Sequence, residues 1–152
     1  MFSVDTKSPV RLFYERWNSS VFTFCLLLTG NKMRAEESAT KAFIEYVRHN
    51  DDLAPSELPA ILLRFAFEAT QESFAPVPLE HRLKFLQHAI FSLPLDQRTT
   101  FVIRHVLGLS QDVVSAVLGI DLENVRTLEL AALLRLRDCL PKDFFQRGRN
   151  EC

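Results

Sequence analysis

Glycine is scarce in this chain, with four in 152 residues, and no stretch alternates apolar and polar side chains in the manner of a half-buried strand. Few glycines beside 47% hydrophobic residues suit a compact helical protein with one modest core or two small ones. Cysteine is also sparse: Cys25, Cys139 and Cys152 lie far apart and form no paired motif, so they read as reduced thiols rather than a disulfide frame. The longest strongly apolar run, residues 21–28, is interrupted by Thr23 and falls well short of the roughly 20 residues that cross a bilayer, so no membrane span is expected. The N-terminus carries Asp5 and Lys7 without an apolar core and a small-residue cleavage site, which leaves a cytoplasmic address as the expectation.

A charge excess is missing as well. The formal net charge is -1, and its distribution gives no strong basic patch. Residues 1–50 carry seven basic and five acidic side chains, and residues 121–152 carry six of each. Residues 51–78 set Arg64 alone against Asp51, Asp52, Glu57, Glu68 and Glu72.

What is present is helical periodicity. Residues 11–29 place Leu12, Trp17, Val21, Phe24 and Leu28 at mostly helical steps, and Gly30 and Asn31 close that helix with residues that tolerate a left-handed backbone. A second helix over 33–49 turns Ala35, Ala39, Ala42, Phe43, Tyr46 and Val47 inward. Residues 51–55 break the pattern, and Ser56 precedes a helix over 57–73 with Leu58, Ile61, Leu62, Phe65 and Ala69 on its buried stripe. Pro76 and Pro78 bracket a short linker, residues 74–78, which separates two domains at 1–75 and 79–145. Leu79, Leu83, Leu86, Ile90 and Leu93 then stripe a helix that ends at Pro94.

Residues 93–140 carry the strongest signal. Gly108 and Gly119 each follow a short helical pattern, and Ser110 and Asp121 stand two residues later as capping side chains that restart the helix. Three helices joined so briefly form a steep corner, and the commonest use of that corner is to push the last helix, here residues 122–140, into the major groove of DNA.

This segment resembles the upstream-promoter-reading domain of bacterial RNA polymerase sigma factors of the extracytoplasmic-function group. Leu93-Pro94, Arg98 four residues after that proline, Leu107-Gly108-Leu109-Ser110, Val117-Leu118-Gly119-Ile120, Val125-Arg126 and Leu136 all stand where the family pattern has them. In the N-terminal half, Leu28, Gly30, Ala35, Glu36, Glu37 and Phe43 are similar to the family's helix pair that grips the polymerase clamp. The resemblance implies an all-α protein of two small helical domains, the second a helix-turn-helix of sigma-factor type. It implies no enzyme, cofactor or metal, and it implies core RNA polymerase, promoter DNA and an anti-sigma factor as partners. Glu36, Glu37 and Phe43 become the candidate polymerase contacts, and Asn124, Arg126, Thr127 and Arg135 the candidate DNA contacts.

The departures fall where the family touches its partners. Thr40 and Lys41 replace a Gln-Glu step, and the helix that melts promoter DNA in the family is here net negative, which disfavours phosphate contact. A linker of five residues, 74–78, spans at most about 18 Å, short of the long connector of a sigma factor. Leu128, Leu130, Leu133 and Leu134 occupy a helix that needs polar and basic side chains to read bases, and they sweep over half its circumference, so some must face outward or be covered. An exposed apolar patch marks a protein contact. Two functions follow: a transcription initiation factor that binds polymerase and promoter DNA, or a divergent sigma-like protein that binds an anti-sigma factor or its own copy.

The remaining features read as structure. Trp17, Phe43, Phe65 and Phe101 are core candidates, not base-stacking platforms. His81 and His88 are seven residues apart on one helical face and lack a third ligand at metal-binding spacing.

Overall fold

The structure, a computed structural model, describes residues 9–49, 58–72 and 85–139, and every regular element among them is a helix. The chain divides into two compact units, Met1–Pro76 and Val77–Cys152. The expected break at 51–55, the cap at Ser56, the linker at 74–78, Leu79, Leu83, His81 and Cys152 lie outside the described residues.

In the first unit α1 (Pro9–Thr29), α2 (Lys32–Arg48) and α3 (Leu58–Gln71) pack on one another. The α1–α2 turn is built from three side-chain choices. Thr29 Oγ1 donates to the Cys25 carbonyl at 2.8 Å and closes α1, Gly30 takes a positive φ of 71°, and Asn31 caps α2. Asn31 therefore differs from its expected role. Its backbone is extended, with φ -138°, and its Oδ1 accepts from the Arg34 amide at 3.0 Å, which satisfies one of the donors a helix start leaves open.

The inner face of α2 is unusually small: Ala35, Ser38, Ala39 and Ala42 are buried, with Tyr46 at its end. Short side chains let α2 approach two neighbours at once, while Val21, Phe24, Cys25, Leu27 and Leu28 of α1 and Leu62, Leu63 and Ala66 of α3 supply the volume. Burial pushes the Cys25 thiol up to about 12, so it sits in the core as a protonated, inert group. Two expected inward residues are exposed: Leu12, by 53%, is about two and a half turns before Val21 and so on the opposite side of α1, and Val47, by 49%, is about a quarter turn off the stripe of Ala39, Ala42 and Tyr46. Trp17, Phe43 and Phe65 are half-buried, too large for the alanine-lined interior and placed at its rim, while Phe101, in the second unit, is half-buried beside the His105 ring.

The second unit holds α4 (Phe85–Phe91), α5 (Leu95–Phe101) continued by a π-helical turn at Val102–Val106, then α6 (Gln111–Leu118) and α7 (Leu122–Cys139). Its core is Ile90, Leu93, Thr99, Val102, Ile103, Val114, Val117, Val125, Ala132 and Leu136. The buried hydroxyls of Thr99 and Thr100 donate to the Leu95 and Asp96 carbonyls one turn back, so neither is left unsatisfied. Arg98 explains the Leu-Pro-plus-arginine pattern: its guanidinium donates to the Leu93 carbonyl at 3.0 Å and lies 4.9 Å over the Phe91 ring, which fastens the end of α4 to α5. Burial holds its pKa below the ordinary arginine value.

The close approach at α2 generates a prediction. Ala42→Leu forces extra volume into a site with no exposure and is expected to destabilise the protein by about 1–3 kcal/mol, whereas Ile44→Leu on the exposed side is expected to change stability by less than about 0.5 kcal/mol. Urea unfolding monitored by far-ultraviolet circular dichroism compares the two.

Candidate functional site

The corner of the second unit is organised around one carboxylate. Gly108 and Gly119 adopt φ values of 69° and 68°, a region that L side chains rarely enter, and end the two helical segments that precede α6 and α7. Asp121 restarts the chain as expected, its Oδ1 accepting from the Asn124 amide at 2.8 Å. Ser110 occupies the equivalent position before α6 without a side-chain capping bond. The corner is tied by a side chain of α7 instead. Glu129 accepts from Arg104 Nε at 3.2 Å and from Gln111 Nε2 at 3.0 Å on one oxygen, and from His105 Nε2 at 2.8 Å on the other. Arg104 also donates to the Leu109 carbonyl at 2.8 Å, which ties down the loop between the π-helical turn and α6.

Glu129 is 13% exposed. Burial alone would push its carboxyl up, but hydrogen bonds from Gln111, Arg104 and His105 and the charge of Arg104 outweigh that and hold it below the ordinary glutamate value. These four residues were not among the sequence candidates. The signal was present in the period: Glu129 follows Val125 by four residues and precedes Ala132 by three, so the buried stripe of α7 runs through it, and an acid on an inner face requires cationic or amide donors.

Asn124, Arg126, Thr127 and Arg135 are all exposed on α7. At 3.6 residues per turn, Asn124 and Arg135 lie about three turns apart on one flank, with Thr127 beside it, whereas Arg126 and Arg135 are separated by about two and a half turns and face opposite ways. Between those flanks the outward face carries Leu130, 60% exposed, with Leu133 and Leu134 at 40% and 41%.

On α2, Glu36 and Glu37 are exposed and Phe43 sits in an aromatic cluster with the Tyr14 ring 4.8 Å away and Phe13 beyond it. An open groove of about 600 Å³ runs past Tyr14, Thr40, Phe43, Ile44 and Val47. Lys41 lies 3.4 Å from Glu37 and 3.5 Å from Glu72, so a lysine in place of the family's glutamate bridges two carboxylates, one on α2 and one just past α3. No cluster of three metal-ligating side chains occurs among the described residues, and no described helix is long and apolar enough to cross a membrane.

No family model and no curated protein sequence matches the chain. Solved structures do. The sigma factor RpoE of Bartonella quintana, in complex with the anti-sigma factor NepR, superposes with a TM-score of 0.67 at 16% identity, over 84% of this chain and 95% of that one. CnrH, in complex with the cytosolic domain of CnrY, superposes with a TM-score of 0.70 at 16% identity, over 85% of each chain. In fold, the chain resembles sigma factors of the extracytoplasmic-function group. The all-α architecture read from the sequence is the architecture of those structures.

Glu129 generates a stability prediction with a sign. Because its folded pKa lies below the ordinary value, its contribution is complete above the unfolded carboxylate pKa, near about 4.3, and is lost as pH falls through the folded value. Glu129→Ala strands Arg104 without its partner and is expected to lower the stability of the second unit by about 2 kcal/mol at pH 7. Amide hydrogen exchange in α6 and α7 reads the loss, and the difference between the variant and the parent protein is expected to shrink as pH drops below about 4.

Proposed function

We propose that this chain is a sigma-factor-like transcription initiation protein of the cytoplasm. In this reading the first unit binds core RNA polymerase through α2, with Glu36 and Glu37 as the charged contacts and Phe43 as the apolar one. The second unit is a helix-turn-helix of sigma type whose α7 meets an upstream promoter element. Asn124, Thr127 and Arg135 line the reading flank, and Arg126 reaches phosphate from the other side. The fold likeness carries this reading, since the superposition runs through both units of the chain with TM-scores of 0.67 and 0.70. Two glycine turns in the left-handed region and the Glu129 clasp support it further, by presenting α7 as a rigid helix with an exposed outer face.

The surface chemistry limits the affinity. Exposed basic residues on α7 number three, Arg126, Arg135 and Arg137, and the acids Glu123 and Asp138 share the same helix. Each neutralised phosphate contributes about 0.9 to the slope of log affinity against log salt, so the expected slope is shallow, about 2 to 3. A second reading has its own support: the exposed leucines of α7 suit a protein partner, and the Bartonella sigma factor of like fold is held by an anti-sigma factor.

Fluorescence anisotropy with a duplex promoter library at several salt concentrations tests the DNA role. Weak binding with a slope of about 2 to 3, lowered by about 1 in Arg135→Ala, is expected. The absence of duplex binding at any salt would overturn it. Affinity purification from the native host tests the polymerase role: core polymerase subunits are expected with the unaltered protein and are expected to be depleted with Glu36→Lys or Glu37→Lys.

A further inference from the structure

The outward face of α7 carries a pattern that is its own complement. Every fourth residue along one ridge is exposed, in the order Arg126, Leu130, Leu134, Asp138. The ridge thus reads positive, apolar, apolar, negative. Leu130 and Leu134 are 60% and 41% exposed, Leu133 beside them 40%, and the Asp138 side chain 75%. Asp138 makes a long, exposed ion pair with Arg137 at 3.8 Å, and both side chains face solvent.

We infer that this ridge is a homodimerisation surface on which a second copy of the chain docks with its α7 antiparallel. Reversal of the ridge exchanges its ends. Each Arg126 then lies opposite the partner's Asp138, and each Leu130 against the partner's Leu134, with Leu133 filling the adjoining groove. The two charged ends are about 18 Å apart, twelve residues at 1.5 Å each, so both ion pairs flank one apolar centre. A two-fold axis requires this kind of self-complementary patch.

The charges select this occupant over others. A uniformly basic partner meets Arg126 and a uniformly acidic one, duplex DNA included, meets Asp138, and either leaves a like-charge contact at one end. A second copy sets Arg126 against the partner's Asp138 at both ends, where Arg137 shares that carboxylate, and a net charge of -1 adds almost no long-range repulsion between copies. A single helix pair is small beside the roughly 1,200–2,000 Å² of a stable interface, so the dimer is a weak one that exchanges with monomer. The inference does not depend on promoter binding. It does cover Arg126 and the face next to Thr127, so pairing and duplex docking compete for one surface.

Sedimentation equilibrium of the full chain from about 1 to 200 μM tests the idea, with the weight-average mass expected to rise from 17.5 kDa toward twice that value. Arg126→Asp places two acids against each other at both ends, and Asp138→Arg places two bases. Each variant alone is expected to weaken self-association at least about tenfold. Mixed in equal amounts they regain complementary ends, and a heterodimer of near parental affinity is expected. Because neither variant pairs well alone, recovery on mixing also shows that both are folded. A protein monomeric throughout the range, single reversals without effect, or no recovery in the mixture would each overturn the inference. Duplex binding measured separately by anisotropy distinguishes this failure from failure of the promoter reading.

Discussion

The geometry of the second unit hangs on the carboxylate of Glu129. Three donors from two successive helical segments converge on its two oxygens, and a fourth bond from Arg104 secures the loop between them. Apolar contact alone would leave α7 free to roll against Val114 and Val117, since packing between aliphatic side chains has little directional preference. A charge with fixed partners removes that freedom, because any roll of the helix would strand Arg104 or the carboxylate in a poorly solvated place. The clasp therefore sets which face of α7 points inward. Once Glu129 is inside with Val125, Ala132 and Leu136, the 3.6-residue period turns Leu130, Leu133 and Leu134 outward. Leucine exposure on this helix is a consequence of where the acid is anchored.

Much of the architecture was legible in the chain, for identifiable reasons. Gly108 and Gly119 marked both turns because few other residues take a positive φ without strain, and both do so. Stripes such as Val21, Phe24 and Leu28, or Leu62 and Ala69, were visible because a helix repeats its buried face. Roles that depend on geometry across elements were less accessible. Asn31 was expected to help end a helix and instead begins one, since asparagine serves either purpose and only the neighbouring Gly30 shows which. Ser110 looked like a cap, yet Gln111 and Arg104 are fixed by a glutamate 18 and 25 residues away, a pairing no local window contains. The candidate DNA residues Asn124, Arg126, Thr127 and Arg135 follow from the family pattern and their polar chemistry, neither of which fixes a facing. Their division between two flanks of α7 appears only when the helix is given a facing.

The first unit solves a different problem. Its central helix is narrow, with alanine and serine where large side chains would ordinarily stand, so the bulky aromatics collect at the α1–α2 rim, where Phe13 stacks on Tyr46 at 4.2 Å. Charge is kept outside. Lys41 lies between Glu37 and Glu72, so two departures from the sigma-factor pattern, the lysine after the paired acids and the acidic third helix, offset each other. Ion pairs this exposed contribute little stability, on the order of 0–1 kcal/mol each. Their effect is on surface character: they occupy the carboxylates of α3 with internal partners and leave that helix without the cationic field that single-stranded DNA would require.

The same logic connects the two ends of the chain. In each unit the polar groups that could serve an outside partner already have internal ones: Lys41 pairs at the surface with Glu37 and Glu72, while Arg104 and Arg98 hold the fold through Glu129 and the end of α4. On α7 the exposed side chains that remain are a short basic set and a leucine ridge with one charge of each sign at its ends. A nucleic-acid surface is normally built the other way, with cations uncommitted and apolar groups inside. A helix fixed in a corner of two glycine turns while turning leucine outward therefore presents a surface of a different kind.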